Sequence, residues 1–117
     1  MPLLAKSGRR AIACDLPGLG DSDLLPGGIQ YDTGGIADML AKALQSLGVA
    51  QADVVGHDVG TWIAFAYATR HPDAVRRLVL SEAGIPGVTP DSTRPRASRV
   101  AVVSHSVNVI DPRPTTV

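Results

Sequence analysis

The 117-residue sequence predicts an α/β domain, a parallel sheet wound with crossover helices, from three observations. Short apolar stretches alternate with longer segments whose apolar residues recur every three or four positions. Glycine and proline separate these segments at the points where each element should end. The order strand, helix, strand, helix, strand is the one that parallel strands joined by crossover helices require.

The first predicted strand is the short apolar stretch RAIAC at residues 10–14. Residues 15–28 are predicted to be a loop because their glycines and prolines interrupt any regular element. Asp15 and Asp21 are interpreted as turn acids, since no second cluster of ligands accompanies them to complete a metal site. Cys14 lies inside the apolar strand and is expected to be a buried small residue.

An amphipathic helix is predicted over about residues 32–47. Its apolar residues recur at spacings of three and four, which places them on one face. They are Ile36, Met39, Leu40, Ala43, Leu44 and Leu47. Asp32 or Thr33 can cap the first turn of this helix. Gly48 stands where a left-handed C-terminal cap belongs.

A second strand, a second helix and a third strand are predicted next. Residues 52–56 form one short apolar stretch, and residues 76–83 form another. Between them, residues 59–71 are apolar on nearly every side until Arg70. This helix is therefore expected to lie centrally in the fold and to end at Pro72, which cannot continue it.

The last third of the chain departs from this alternation. Proline and arginine are frequent after about Pro86, and no apolar periodicity remains there. Residues 100–110, VAVVSHSVNVI, regain β propensity through their valines. We therefore treat residues 89–117 as a separate irregular segment, rich in proline, arginine and valine.

Composition excludes several classes of partner. Eleven basic and eleven acidic residues balance, so no basic excess is available to hold nucleic acid or an anionic membrane surface. Cys14 is the single cysteine, which excludes an intrachain disulfide. No apolar run approaches membrane-spanning length, and the first ten residues do not have the pattern of a signal peptide. These features predict a soluble cytoplasmic protein and leave its oligomeric state open.

The corner between the second strand and the second helix carries an acid, in the stretch VVGHDVGTWIAF of residues 54–65. A strand followed by small–x–acid–x–small and a helix has the form of a nucleophile elbow, whose sharp turn exposes the residue at its tip. Gly56 and Gly60 would be required because a Cβ at either position would collide with the neighbouring turn. Asp58 would stand at the helix N-terminus, which favours an anion. The alternative is an ordinary helix N-cap, which explains Asp58 but neither glycine.

Four stretches of the chain, taken in order, resemble the α/β-hydrolase superfamily. They are AIACDLPGLGDSD, the helix start YDT, VVGHDVG and HPDAVRRLVL. The most similar branch is that of the epoxide hydrolases and haloalkane dehalogenases, whose elbow carries aspartate instead of serine. The resemblance covers about residues 1–88, which it identifies as a partial α/β-hydrolase core with three family strands.

The resemblance implies a covalent mechanism on a small molecule of the epoxide or alkyl halide class. Asp58 would attack a saturated carbon and form an alkyl ester, which water later hydrolyses. The N–H of Val59 would stabilise the oxyanion formed at the ester carbonyl. Glu82, after the third strand, holds the position of the second acid in some dehalogenases; the alternative is a solvated strand-end glutamate. This mechanism requires no metal and no organic cofactor.

A second hypothesis is a catalytically incomplete remnant, a gene fragment or frameshifted product without activity of its own. The family's catalytic histidine has no counterpart, because His105 follows Asp58 too closely in the sequence. His57 is expected to be structural, and His71 is expected to be a helix-end residue. The first ten residues look like the end of a family helix, so the family strand before that helix is missing.

The missing strand has a consequence for the predicted sheet. In the family it lies between the strands that match residues 10–14 and 52–56, so its slot must stay open, close or be filled. The one remaining segment with strand character is residues 100–110, and we predict residues 100–104 as the substitute.

Overall fold

The computed structural model describes residues 2–27, 32–85 and 106–114. Its helices are α1 (Pro2–Lys6), α2 (Thr33–Ser46) and α3 (Val59–Arg70), with a single 3-10 turn at Pro72–Ala74. Its strands are β1 (Arg9–Asp15), β2 (Ala52–His57), β3 (Val75–Ser81) and β4 (Ser106–Pro114). Every predicted element that falls within these residues is present, with ends that shift by one or two positions.

Helix α2 begins and ends as its sequence predicts. The Asp32 side chain accepts a hydrogen bond from the Gly35 N–H at 2.8 Å, so Asp32 is the cap and Thr33 is the first helical residue. After the helix, Gly48 adopts a left-handed conformation with φ 73°, which a residue with a Cβ disfavours. The apolar face is buried in the core through Ala37, Leu40 and Leu44.

Helix α3 lies centrally, as its apolar sequence predicts. It packs against α2 on one side and against β2 and β3 on the other. Ile63, Ala64 and Tyr67 are buried within it, whereas Trp62 remains 41% exposed. The helix ends at Arg70, and Pro72 opens the following turn.

The four strands form one mixed sheet in the order β1-β4-β2-β3. The prediction that β1 and β2 are not neighbours is confirmed, because β4 lies between them and pairs with both. The predicted substitute, residues 100–104, lies outside the described residues, and the strand in the slot is Ser106–Pro114. The expectation that the C-terminal segment is irregular is therefore wrong for these nine residues.

The three predicted strands β1, β2 and β3 run in one direction, as the predicted parallel sheet requires, and β4 adds an antiparallel strand between β1 and β2. β2 and β3 are parallel, whereas β4 runs antiparallel to both of its neighbours. Ser106 pairs with Asp15, the last residue of β1, so β4 starts at the edge where the other strands end. A strand that starts at that edge can only run back against its neighbours.

Two valines make β4 part of the hydrophobic core. Val107 and Val109 are completely buried, and both belong to the core cluster beneath α2 and α3. Val109 pairs with Ile12 of β1 and with Val54 of β2, so apolar side chains meet across three strands. Because these strands are adjacent, the slot is closed by side-chain packing as well as by backbone pairing.

A buried acid on β4 is matched by a cation. Asp111 is 1% exposed, and its Oδ2 lies 3.9 Å from the Arg10 Nη1 on β1. The same nitrogen donates a hydrogen bond at 3.0 Å to the carbonyl oxygen of Leu47, at the end of α2. Since a buried carboxylate is costly unless it is paired, Arg10 joins β1, β4 and α2 at one point.

A second charged cluster joins α2 to the end of α3. Arg70 donates from Nε to Asp38 Oδ1 at 2.9 Å and from Nη2 to Oδ2, a bidentate pair. His71 Nε2 lies 2.8 Å from Asp38 Oδ1. The hydrogen bond from Arg70 first, and that with His71 second, hold the pKa of Asp38 well below its usual range. His71 is thus a helix-end residue, as expected, with a partner on α2.

Replacing Val109 by alanine should destabilise the protein by about 2 kcal/mol, because it removes two methyl groups from the core. Urea unfolding followed by circular dichroism measures this difference. Val79→Ala is the matched control, since Val79 lies on the edge strand β3 and is 53% exposed. Its loss should stay below about 1 kcal/mol. Equal losses in the two variants would contradict the central position of β4.

Asp38→Asn should lower the thermal unfolding midpoint at pH 7, because the amide cannot form the bidentate ion pair with Arg70. The effect should be modest at this solvent-accessible site. The folded-state pKa of Asp38 lies below the unfolded value of about 3.9, so its stabilisation is present above that pH and lost as pH falls. The deficit of the variant should accordingly shrink from about pH 5 towards about pH 2.

The control for this comparison is Asp23→Asn, an exposed acid in the loop after β1. Its unfolding midpoint should follow that of the wild type over the same pH range. A deficit of Asp38→Asn that stays constant with pH would assign the loss to something other than the carboxylate charge.

Candidate active site

Asp58 lies at the tip of the turn between β2 and α3. Its backbone angles are φ 52° and ψ −122°, which confirms the predicted positive-φ conformation. Such a conformation is strained for a residue with a Cβ and costs roughly 1–3 kcal/mol. Asp58 occupies the N-cap position of α3, yet its side chain makes no capping hydrogen bond, in contrast to Asp32 on α2. Capping therefore does not account for this acid.

Gly56 permits the close approach of α3 to β2. A Cβ built on Gly56 would lie 2.5 Å from the Gly60 carbonyl oxygen, 2.7 Å from the Thr61 Cα and 2.8 Å from the Ala64 Cβ. Two of these atoms belong to the backbone and cannot turn aside as a flexible side chain would. The predicted collision is thus confirmed at Gly56. Gly60, which is buried, supplies the nearest atom.

Hydrogen bonds to β3 hold the tip of the turn. The Asp58 N–H donates to the Ser81 carbonyl oxygen at 3.1 Å, and the Thr61 hydroxyl donates to the same oxygen at 2.7 Å. The Thr61 N–H donates to the Asp58 carbonyl oxygen at 3.0 Å. Thr61 was not predicted from the sequence. A hydroxyl residue in the otherwise apolar start of the helix was the feature that could have indicated it.

Asp58 and Glu82 lie at the same edge of the sheet. His57 pairs with Ser81 in the parallel ladder, so the two acids follow paired residues on neighbouring strands. Adjacent strands are about 4.8 Å apart, which places the two backbones near each other. Glu82 is exposed and has φ 66°, and within the described ranges it and Asp58 are the two non-glycine residues with positive φ.

Val59 is the first residue of α3. The N–H groups of the first helical turn have no acceptor within their own helix, so the Val59 N–H is available to a group bound near Asp58. Helix N-termini also favour negative charge. This position is compatible with the predicted oxyanion contact.

The described histidines do not complete a catalytic dyad with Asp58. His71 follows a twelve-residue helix that starts beside Asp58, and at a rise of about 1.5 Å per residue it lies about 18 Å away. It is also engaged with Asp38. The His57 ring is half-buried, and its Nδ1 is buried without a hydrogen-bond partner in the described part of the chain. His105 lies outside the described residues.

A cavity of about 510 Å³ lies beside the end of β1, and Asp58 does not line it. Its wall is formed by the loop after β1 and by the apolar face of α2. Cys14, predicted to be buried, is half-buried and lines this cavity. Burial first, and the charge of Asp15 second, raise the pKa of the Cys14 thiol.

Asp15, the last residue of β1, acts as a turn acid, as predicted, and Asp21 lies in the turn that follows it. The Asp21 N–H points to Asp15 Oδ2 at 3.4 Å, and the Ser22 hydroxyl donates to the Asp15 carbonyl oxygen at 2.9 Å. Across residues 2–27, 32–85 and 106–114, no three histidine, cysteine or acidic side chains gather as metal ligands would. None of the helices described is long and apolar enough to span a membrane.

A match to a family profile gives the class of protein. Residues 1–106 match the sequence profile of the family described as the alpha/beta hydrolase fold. The chain belongs to this family. The match extends past residue 88, where the sequence places the end of the partial core; the division into residues 1–88 and 89–117 stays a prediction.

Particular relatives are hydrolases of two named kinds. The chain is 49% identical over 80 residues to 2-hydroxymuconate semialdehyde hydrolase from Pseudomonas sp. strain CF600, covering 68% of this chain and 28% of the relative. It is 41% identical over 76 residues to epoxide hydrolase 2 from Siraitia grosvenorii, covering 65% of this chain and 24% of the relative.

A solved structure is similar in fold as well as in sequence. Cfl2 from Burkholderia cenocepacia superposes with a TM-score of 0.58 at 42% identity, covering 76% of this chain and 28% of Cfl2. The chain thus spans between 24% and 28% of the length of these relatives.

Gly56→Ala should destabilise the protein by about 1–3 kcal/mol, because the new methyl group meets backbone atoms of α3 that can move only with the helix. Gly27→Ala is the matched control, since a Cβ at Gly27 meets nothing within 4 Å. Chemical unfolding of both variants gives the comparison. A Gly56→Ala variant as stable as Gly27→Ala would show that α3 does not press against β2 as described.

Proposed function

We propose that this chain carries the nucleophile of an epoxide hydrolase-like α/β hydrolase, and that Asp58 is that nucleophile. The observation that carries the proposal is the backbone of Asp58, strained at φ 52° while its side chain caps nothing. Strain of this kind persists where the surrounding structure enforces it, and it is frequent at active sites. The resulting turn presents a carboxylate at the carboxyl edge of the sheet, next to a helix N-terminus.

The chemistry of a carboxylate selects the kind of bond that is attacked. One Asp58 oxygen bonds to a saturated epoxide carbon while the carbon–oxygen bond of the ring breaks. The ring oxygen leaves with the electron pair and takes a proton from water, and an alkyl ester remains on Asp58. Water then attacks the carbonyl carbon of that ester, which releases the diol and restores the carboxylate.

The same argument disfavours acyl chemistry at this site. Attack of a carboxylate on an acyl carbon would give an anhydride, whereas the G-x-S-x-G form of the elbow supplies a hydroxyl that gives an ester. Relatives of this chain include epoxide hydrolases and a 2-hydroxymuconate semialdehyde hydrolase. Aspartate at position 58 supports an activity like that of the epoxide hydrolases. The proposed substrate is a small epoxide, and an alkyl halide is the related alternative.

Two further residues have proposed roles in the second step. The Val59 N–H would donate to the oxyanion that forms when water attacks the ester on Asp58. Glu82, which follows the residue paired with His57, would supply the second acid at the same edge. In both roles the residue would act on the ester that forms on Asp58 after a substrate has bound.

The alternative function is a catalytically incomplete remnant, and the histidines within the described part of the chain favour it. Hydrolysis of the ester needs a base to activate water, which contributes about 100- to 10,000-fold. His71 lies a helix length from Asp58 and is bound to Asp38. We therefore propose that the chain forms the ester once and does not turn over at a useful rate.

The test is incubation of the purified chain with styrene oxide, followed by intact-protein mass spectrometry and by assay of the diol. We expect one adduct, located on Asp58 by peptide mapping, and diol no greater than the amount of protein. Asp58→Asn should form no adduct, because the amide is not nucleophilic. Glu82→Gln is the control for general loss of charge at this edge, and it should still form the adduct.

Each other outcome has a definite meaning. Many diol molecules per protein, abolished in Asp58→Asn, would show a complete enzyme and contradict the remnant. An adduct on another residue, or none at all, would remove Asp58 as the nucleophile.

A further inference from the structure

The Ser81 carbonyl oxygen, at the end of β3, joins the elbow to the sheet. It accepts the Asp58 N–H at 3.1 Å and the Thr61 hydroxyl at 2.7 Å. The Thr61 N–H donates a hydrogen bond to the Asp58 carbonyl oxygen at 3.0 Å. These three hydrogen bonds form a closed ring through Asp58, Thr61 and Ser81, and the ring includes both backbone polar groups of Asp58.

The hydroxyl of Thr61 does not follow the usual pattern of a helical threonine. A threonine in a helix commonly donates to a carbonyl one turn back in its own helix. Thr69, in the same helix, does so: its Oγ1 lies 3.1 Å from the Phe65 carbonyl oxygen and 3.0 Å from that of Ala66. Thr61 instead reaches a strand 20 residues further along the chain.

Burial makes this hydrogen bond hard to replace. Thr61 is completely buried, so water cannot take the place of the Ser81 carbonyl as the acceptor. Its Cα lies 2.7 Å from the position that a Cβ on Gly56 would occupy, so the residue packs closely against β2. The hydroxyl group therefore fixes the distance between the first turn of α3 and the end of β3.

We infer that Thr61 is a positioning residue for Asp58, acting through the Ser81 carbonyl. The hydroxyl holds that oxygen where the Asp58 N–H must meet it, and this contact keeps the tip in its strained conformation. Without the hydroxyl, the turn can relax and the carboxylate loses its fixed direction. The inference rests on the proposed role of Asp58 as the nucleophile.

Two variants separate the hydroxyl from the methyl group. Thr61→Val keeps the shape and loses the donor, whereas Thr61→Ser keeps the donor and loses a buried methyl group. Both should lower the thermal unfolding midpoint, one through the lost hydrogen bond and the other through a small cavity. Only Thr61→Val should slow the formation of the Asp58 adduct with styrene oxide, by ~10-fold or more. A merely structural role would slow adduct formation in both variants.

Amide hydrogen exchange gives a readout that needs no chemistry at Asp58. In Thr61→Val the exchange of the Asp58 amide should accelerate at least ~10-fold more than that of the Val54 amide of β2, which reports the change in global stability. In Thr61→Ser the two amides should accelerate by the same factor, as a loss of global stability alone requires. An adduct rate in Thr61→Val equal to that of the wild type, or an Asp58 amide that accelerates no more than the Val54 amide, would overturn the inference.

The two readouts also separate this inference from the proposed function. If the wild type forms no adduct, the nucleophile proposal fails, and the exchange of the Asp58 amide alone decides the role of Thr61. If the adduct forms equally fast in all three proteins, Asp58 stays the nucleophile and Thr61 loses its positioning role.

Discussion

The contact of α3 with β2 at Gly56 is the constraint on which the rest of the described structure depends. Because Gly56 has no side chain, the Gly60 carbonyl and the Thr61 Cα can lie against the strand, at distances that exclude a Cβ. The helix must then start immediately after the strand, and the residue between them takes the strain of the reversal. Asp58 is that residue. Its conformation follows from the packing of the elements on either side, and this is why it is maintained.

The sheet supplies the second half of this constraint. β3 ends beside the elbow, and its last carbonyl group receives the donors that the sharp turn would otherwise leave without a partner. Buried N–H and hydroxyl groups must find acceptors, so the turn is stable only where a neighbouring strand ends at the same level. The end of β2 therefore forces the strained conformation of Asp58, and the end of β3 supplies the hydrogen-bond acceptor that stabilises it. A functional group placed there is held by elements on both sides.

Local features of the fold were predictable from the sequence because their causes lie within a few residues. The Asp32 cap, the left-handed Gly48 and the sharp turn at Asp58 each follow from residue types at adjacent positions. Features that need contacts between distant segments were not. The bounds and direction of β4 depend on which slot is vacant, and the bond from Thr61 to Ser81 depends on where β3 ends. The positive φ of Glu82 could not be predicted in the same way, because no glycine precedes it on the strand side.

The position of β4 also determines how this chain can fold. The strand lies inside the sheet, yet it is the last of the four in the sequence, and its pairing of Asp111 with Arg10 joins residues 101 positions apart (111 − 10). Closing a loop of that length costs on the order of 4 kcal/mol in entropy before any contact compensates for it. Folding should therefore be slow, as is usual for sheets built from distant segments. Until β4 arrives, β1 and β2 each present an unpaired edge to other chains, so the yield of folded protein should fall as its concentration during refolding rises.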